Sequence, residues 1–227
     1  MSTVELTRRS TFTRSQQDYL KALYHLHGDS RPVPTRDLAQ RLGISSPSVS
    51  EMVTRLTAQG LVEHDRYRGQ QLTRDGRKVA LELVRHHRLL EMFLVQVLGY
   101  SWDEVHEEAE RLEHVISERM EQRIFELLGR PELDPHGHAI PTLAGKVRPV
   151  SERPLSECRA GERVIVQGVS DDDPRRLREL ERRGLLPGTH VEVVAPSEYE
   201  GPIEVRMKGR RVSVPLGLAR ALFVERR

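Results

Sequence analysis

The segment VHEEAERLEHV, residues 105–115, combines imidazole and carboxylate side chains at helical spacing. On a helix that turns about 100° per residue, His106, Glu110, Glu113 and His114 fall at roughly 0°, 40°, 340° and 80°, so they share one face. Such groups bind divalent metal ions, but an acidic stripe on a solvated helix has the same composition. Taken alone, the pattern is more typical of the solvated helix, so other parts of the chain must distinguish the two.

A second histidine–carboxylate pair precedes this segment. His87 and Glu91 are four residues apart in a helical pattern over residues 73–99, which places both on one face. The next pattern begins at the capping box SWDE and is predicted to continue as one helix over residues 101–129. Two long helices joined by a short turn pack antiparallel, so these groups are expected to converge. A set of oxygen and imidazole donors without thiolate indicates a hard or borderline ion such as Mn²⁺ or Fe²⁺, while Zn²⁺ is not excluded.

The first third of the chain predicts a winged helix. A helix over residues 15–26 is followed by a short helix capped by Thr35, and then by a helix with Ser46 as its cap and Pro47 at its first position. Residues 61–73, LVEHDRYRGQQLT, have the pattern of a two-stranded hairpin.

A winged helix indicates DNA as the partner, because one helix enters the major groove while the hairpin contacts phosphates. Serines allow close approach, a glutamate accepts from a cytosine amino group, and arginines in the hairpin hold the backbone. The candidate DNA-binding residues are Ser45, Ser46, Pro47, Ser48, Ser50, Glu51, Arg66 and Arg68. The alternative is a winged helix that contacts proteins, in which the serines are only caps.

The C-terminal third predicts a small β-barrel. The proline-rich segment 131–154 has neither helical nor strand periodicity and is expected to be a linker lying over the surface. After it, ERVIVQGV, THVEVVA, PIEVRMKG and RRVSVPL have strand patterns, and PRRLRELERRG is predicted to be a helix between the first two.

Composition excludes several classes of protein. The formal net charge is +2, which is too small to prove a polyanionic partner. No segment has the roughly 20 apolar residues of a membrane span, the start has no signal-peptide core, and the single Cys158 agrees with a reducing compartment, so we expect a cytoplasmic protein. HEEAE has Glu110 where the zinc-protease HExxH requires its second histidine, and no P-loop or GxSxG occurs, so we expect no enzyme.

The motifs DYLKALY, SSPSVSEMVTRL, HHRLLEMFL, VHEEAERLEHV and PHGHAIP occur in this order, followed by the barrel pattern. In this combination the chain resembles the diphtheria toxin repressor family of metal-dependent regulators, from about residue 12 to the end. The resemblance implies a homodimer that binds a palindromic operator when metal is loaded as corepressor and shuts off metal-uptake genes.

The resemblance also implies ligands. It assigns a primary site to Asp18, Glu110, Glu113 and His114, and an ancillary site to His87, Glu91 and His106, with Asp171 or a neighbouring aspartate contributed by the barrel. Iron-responsive members have methionine and cysteine where this chain has Asp18 and Glu110, and hard oxygen in place of sulfur favours Mn²⁺. Lys21 replaces a glutamate of the short two-domain manganese regulators, which argues against their closely spaced metal pair. His136 and His138 match a family motif of structural character and are left outside the predicted sites.

The predicted fold is therefore mainly α with a small β component. It consists of a winged helix-turn-helix domain at 1–73, a helical dimerisation and metal-binding domain at 74–142, a linker at 143–153 and an SH3-like barrel at 154–227. The predicted function is a manganese-dependent transcriptional repressor. The alternatives are an iron-dependent repressor and a metal-stabilised winged helix that binds proteins.

Overall fold

A computed structural model describes residues 12–170, 173–197 and 199–227. The described chain forms two compact units. The first unit contains the residues up to His87 together with 112–122 and 141–146. The second unit contains residues 88–111, 123–140 and 147–227.

The first unit contains the predicted winged helix. Helix α1 spans Arg14–His25, α2 spans Thr35–Leu42 and α3 spans Ser46–Ala58. Their apolar faces close one core, whose fully buried side chains include Leu20, Leu23, Leu38, Val49 and Leu56.

Two helix starts differ from the prediction by one residue. Ser45, not Ser46, is the N-cap of α3, and its hydroxyl accepts a hydrogen bond from the amide of Ser48 at 3.3 Å. Thr35 is the first helical residue of α2 rather than its cap, because Pro34 holds the extended cap conformation. Ser45 and Ser46 are equally suitable as N-caps by residue type, so the sequence did not determine which of the two begins α3.

The hairpin is present as predicted. Strands β1, Val62–Asp65, and β2, Gly69–Leu72, pair antiparallel, with Asp65 opposite Gly69. The side chain of Asp65 closes the turn by accepting hydrogen bonds from the amides of Tyr67 (2.8 Å) and Arg68 (3.0 Å). These two bonds lower the pKa of Asp65. The turn therefore stays ordered while its side chains face solvent.

The prediction of one continuous helix over 101–129 is wrong. Helix α4 spans Arg74–Gln96, but two helices follow it, α5 at Val105–Leu112 and α6 at Glu118–Leu127. Ser117 starts α6, because its hydroxyl accepts from the amide of Met120 at 3.2 Å. Glu113 and His114 consequently lie in the connection between α5 and α6 and not on a helical face.

The second unit contains a five-stranded antiparallel sheet in the order β6-β5-β4-β3-β7. The strands are β3 Arg163–Val169, β4 His190–Ala195, β5 Ile203–Met207, β6 Arg210–Val214 and β7 Leu222–Arg226. Helix α7, Pro174–Arg182, follows β3, and the short α8, Leu216–Arg220, precedes β7. The four predicted strands and the helix between them are present, whereas β7 was not predicted. Trp102 is buried with the barrel side chains in one core.

The segment predicted as a surface linker is partly buried. It has no helix or strand over 131–153, yet Asp134, His136, Ala139 and Ile140 have almost no exposed surface. The carbonyl of His136 accepts a hydrogen bond from the amide of Val169 at 2.9 Å, so this segment packs on β3. A side chain at Gly137 would place its Cβ 1.9 Å from the carbonyl of Gln167, which explains the glycine in PHGH.

Candidate metal centres and DNA-binding surface

Three of the predicted primary-site residues come together in the first unit. The Nε2 atom of His114 lies 3.0 Å from Oδ1 of Asp18 and 3.5 Å from Oε1 of Glu113. Asp18 is on α1, whereas Glu113 and His114 are in the connection after α5. Two segments far apart in sequence therefore direct one imidazole and two carboxylates at the same point.

The hydrogen bonds around His114 orient it for a metal. Its Nδ1 lies 2.8 Å from Oε1 of Gln17, and the amide of Gln17 is oriented in turn by donating from Nε2 to the carbonyl of Phe12 at 3.1 Å. Oε1 of Gln17 can only accept, so Nδ1 of His114 carries a proton, and Nε2 is the ring atom that is left to bind a metal ion. Within the described residues, the buried Nε2 of His114 has no hydrogen-bond partner.

These residues fit a divalent cation. Octahedral ligands at 2.0–2.1 Å from an ion are about 3 Å from their neighbours, which is close to the separations at His114. One neutral imidazole and two carboxylates are suitable ligands for Mn²⁺ or Fe²⁺. The described chain also supplies the outer hydrogen bond that usually fixes a ligating histidine.

A buried lysine shares this site. Nζ of Lys21 donates to both carboxylate oxygens of Glu113, at 2.8 and 2.7 Å, and lies 3.2 Å from Nδ1 of His87. His87, predicted as an ancillary ligand, has the same Nδ1 atom 2.5 Å from Oε2 of Glu113. In the first unit His87 therefore contacts a carboxylate of the predicted primary site.

A second group of ligand-type side chains lies in the second unit. Glu91, Asp134 and His136 are all buried, and one ligand atom from each lies within 4.8 Å of the others. Nδ1 of His136 is 3.7 Å from Oε2 of Glu91, while its Nε2 lies 2.8 Å from the carbonyl of Trp102. Because a carbonyl only accepts, Nε2 of His136 carries a proton and Nδ1 faces the carboxylate.

Asp134 is held rigidly in this group. Its Oδ1 accepts from the amides of His136 (2.9 Å) and His138 (2.8 Å), and its Oδ2 lies 3.1 Å from Nδ1 of His138. Burial raises the pKa of Asp134, but the positive charge and hydrogen bond of His138 outweigh it, and the pKa is lowered. Asp134 is thus an anion with a fixed orientation.

The predicted ligands His106 and Glu110 lie in the second unit. In the second unit, Nδ1 of His106 lies 3.3 Å from Oε1 of Glu91, and its Nε2 lies 3.9 Å from Oε1 of Glu110. Asp171 lies outside the described residues, so its predicted role is not addressed by the structure.

Four residues that surround these groups were not predicted as ligands. They are Gln17 and Lys21 in the first unit, and Asp134 and His136 in the second, of which His136 was predicted to be structural. For the last two a signal existed, since Asp134 and His136 are two residues apart in a segment with three potential ligands, DPHGH. For Gln17 and Lys21, both on α1, no local pattern distinguishes a buried polar residue from an exposed one.

The predicted DNA-binding residues form an exposed surface in the first unit. They lie at the start of α3, where Ser45, Ser46, Pro47, Ser48, Ser50 and Glu51 are all exposed. The hydroxyls of Ser45 and Ser48 are 2.9 Å apart, and Ser50 donates to the carbonyl of Ser46 at 3.1 Å. Glu51 is paired with Arg55 one turn later. The exposed start of α3 therefore has the short polar side chains that a groove-reading helix requires.

The hairpin turn adds positive charge to this unit. Arg66 and Arg68 are exposed, and Tyr67 between them is 90% exposed. An exposed tyrosine between two arginines at the tip of a hairpin is suitable for contact with a nucleic-acid backbone. Tyr67 was not among the predicted DNA-binding residues.

Comparison with known proteins agrees with this arrangement. Residues 11–70 match the description "Iron dependent repressor, N-terminal DNA binding domain", residues 73–142 match "Iron dependent repressor, metal binding and dimerisation domain", and residues 153–226 match "FeoA domain". The iron-dependent repressor IdeR of Mycobacterium leprae is 33% identical over 221 residues, covering 92% of this chain and 95% of that protein. The chain belongs to the diphtheria toxin repressor family.

Members of this family are metal-dependent DNA-binding repressors, and the expected fold of helical domains followed by a small SH3-like β domain is confirmed. Among solved structures, a manganese-dependent transcriptional repressor in complex with manganese has a TM-score of 0.85 and 42% identity, covering 93% of this chain and all of that one. The manganese regulator SloR has a TM-score of 0.76 and 30% identity, covering 95% and 100%. None of the helices in the described residues has the length and apolar composition needed to cross a membrane.

Proposed function

We propose that this member of the diphtheria toxin repressor family is a manganese-dependent repressor that controls genes of metal uptake and homeostasis. The observation that carries the proposal is the position of His114 Nε2, which faces Asp18 and Glu113 while Nδ1 is held by Gln17. Glu110 remains a candidate ligand of the primary site from the family resemblance only.

The donor atoms support manganese over iron. The site has carboxylates where iron-responsive members have sulfur, and oxygen ligands favour the harder ion. The solved relative at 42% identity was determined with manganese, whereas the relative from Mycobacterium leprae at 33% identity is named iron-dependent. Iron is therefore the alternative corepressor.

We propose that a second ion is held around Glu91, by Asp134 and His136 with His106 adjacent. His87 and Asp171 remain candidates at this site from the family resemblance only. A divalent ion at either site would supply positive charge that holds the surrounding carboxylates together.

The proposed ligands come from parts of the chain that are far apart in sequence. Asp18 lies on the helix that packs in the winged-helix core, and His114 lies between α5 and α6, so a shared ligand set couples the DNA-binding helices to the helical domain. A coupling of about 1–3 kcal/mol per site is typical and changes operator affinity about 5- to 150-fold. We propose that the chain acts as a cytoplasmic homodimer on palindromic DNA, with the winged helix at 1–73, the helical domain at 74–142 and the barrel at 154–227.

The decisive experiment is a genomic footprint of the protein with and without Mn²⁺, repeated anaerobically with Fe²⁺. The manganese repressor predicts discrete palindromic sites that appear with Mn²⁺ at lower free concentration than with Fe²⁺. The reverse order identifies an iron-dependent repressor. Metal binding without any specific footprint identifies a protein-binding winged helix and overturns the proposed function.

A further inference from the structure

Lys21 is a buried cation inside the first unit. It follows Asp18 by three residues on α1, and only 7% of its surface is exposed. Its ammonium group donates to both oxygens of Glu113, whose side chain is fully buried. The two charges compensate each other, which matters because a buried charge without a partner is strongly destabilising.

The position of the ammonium group relates it to the metal ligands. Nζ of Lys21 is 3.2 Å from Nδ1 of His87 and 2.7 Å from Oε2 of Glu113. Glu113 in turn has Oε1 3.5 Å from Nε2 of His114. The lysine thus contacts a carboxylate that we assign to the metal, and it lies beside the direct contact between that carboxylate and His87.

An ammonium group and a metal ion compete for the same carboxylate. The ammonium has three donors and no lone pair, so it binds Glu113 but cannot act as a ligand. Its charge also repels a divalent ion nearby, and this repulsion is only weakly screened at a buried position. Tighter binding of the ion to Glu113 requires the lysine to move or to share the carboxylate.

We propose that Lys21 is a tethered cation that neutralises Glu113 in the metal-free chain, competes with metal for this carboxylate and thereby sets the metal concentration at which the protein responds. The proposal rests on the assignment of Glu113 as a metal ligand. It also explains how a fully buried carboxylate is accommodated before metal binds. Since Nζ lies within 3.2 Å of both Glu113 and His87, the same charge opposes a second ion at these two residues.

The test compares purified full-length, metal-free wild type with Lys21→Met and Lys21→Gln, and with Lys78→Met as the control. Lys78 is an exposed lysine on α4 that pairs with Asp75. Mn²⁺ affinity is measured by calorimetric titration. We expect both Lys21 variants to bind Mn²⁺ about 10-fold tighter or more. Two like charges about 4 Å apart, at an effective dielectric constant of about 20, repel each other by more than the free energy that corresponds to a 10-fold change in affinity. The control should bind like the wild type.

Folding is followed in the same samples by circular dichroism. Without Lys21 the buried Glu113 loses its ammonium partner and keeps only its contacts with His87 and His114. The variants should therefore melt at a lower temperature without metal, and saturating Mn²⁺ should raise their melting temperature by more than that of the wild type. Unchanged or weaker Mn²⁺ affinity in folded variants overturns the proposal. Failure of the variants to fold even at saturating Mn²⁺ also overturns it, because metal would then not replace the lysine.

The experiment distinguishes a failure of the lysine proposal from a failure of the proposed function. A wild type that binds no Mn²⁺ at all refutes the repressor proposal itself. A wild type that binds Mn²⁺ while the Lys21 variants show no gain refutes only the role of the lysine.

Discussion

Nε2 of His114 lies 3.0 Å from Oδ1 of Asp18, and this pair joins the first helix of the winged helix to the connection between α5 and α6. The two residues are far apart in sequence, and Gln17 holds His114 in the orientation that brings them together. The pair therefore provides the most direct test of metal-dependent coupling.

Asp18→Ala should abolish Mn²⁺-stimulated operator binding. Asp18 is partly exposed, so its removal costs little folding energy, but it deletes the ligand supplied by α1. Fluorescence anisotropy with operator DNA at increasing Mn²⁺ measures the response, and circular dichroism checks the fold. Asp75→Ala, which alters an exposed aspartate on α4, is the control and should respond normally. A full Mn²⁺ response in Asp18→Ala would show that the pair does not couple these segments.

Gln17→Leu should weaken Mn²⁺ binding by about 10- to 100-fold, the usual effect of removing an outer partner of a ligating histidine. The variant removes the acceptor that keeps the proton on Nδ1 of His114, so Nε2 is no longer held as the lone-pair side. Calorimetric titration with Mn²⁺ measures the effect, and Gln96→Leu at the exposed end of α4 is the control. Equal affinities in both variants would mean that Gln17 does not orient His114.

The sequence predicted the parts of the fold that are coded locally. Pro47 at the start of α3, Gly43 after α2 and the hairpin pattern define a winged helix through short-range conformational preferences. The proximity of Asp18, Glu113 and His114 was also predicted, but helical periodicity was an incorrect reason for grouping Glu113 and His114. The chain leaves the helix at Glu113, and it is the packing of α1 that brings Asp18 to them.

What the sequence did not predict depends on contacts between distant residues. Asp134 and His136 lie in a segment without periodicity, and only its packing on β3 buries them beside Glu91. Strand β7 was missed because LFVER is short and directly follows α8. The burial of Lys21 likewise could not be predicted from its neighbours in sequence, since a lysine on a helix is usually exposed.

Glu110→Cys should shift the metal preference towards Fe²⁺. This substitution restores the sulfur of iron-responsive family members, and thiolate is a softer ligand than carboxylate. Operator binding is titrated anaerobically with Mn²⁺ and Fe²⁺, and the ratio of the two activating concentrations is compared with that of the wild type. Glu107→Cys, at an exposed position on α5, controls for the added thiol. An unchanged ranking of the two metals would refute Glu110 as a determinant of selectivity.

Glu118→Gln should stabilise the protein at pH 8 and have little effect at pH 5. Burial, together with the neighbouring charge of Glu82, raises the pKa of Glu118 from 4.5 to about 7. A carboxyl group with a raised pKa holds its proton more tightly in the folded state, so its contribution to stability is lost as pH rises from the unfolded value through about 7. The neutral glutamine does not titrate and avoids this loss.

Urea unfolding of metal-free protein at the two pH values measures this effect, with Glu126→Gln on the exposed side of α6 as the control. The wild type should lose more stability than Glu118→Gln between pH 5 and pH 8, and the control should follow the wild type. Parallel pH dependence in all three proteins would show that Glu118 titrates normally.

Arg66→Ala and Arg68→Ala should weaken binding to operator and unrelated DNA alike. Both arginines are exposed at the tip of the hairpin, where contact with phosphates adds affinity without reading the sequence. Each lost phosphate contact lowers the salt slope of binding by about 1. Anisotropy titrations of Mn²⁺-saturated protein over a range of salt concentrations measure this slope, with the exposed Arg119→Ala as the control.

By contrast, Ser50→Ala or Glu51→Ala at the start of α3 should weaken operator binding while leaving binding to unrelated DNA unchanged. If the hairpin variants instead lost affinity for the operator alone, the hairpin would be reading bases, and the division of roles between it and α3 would be wrong.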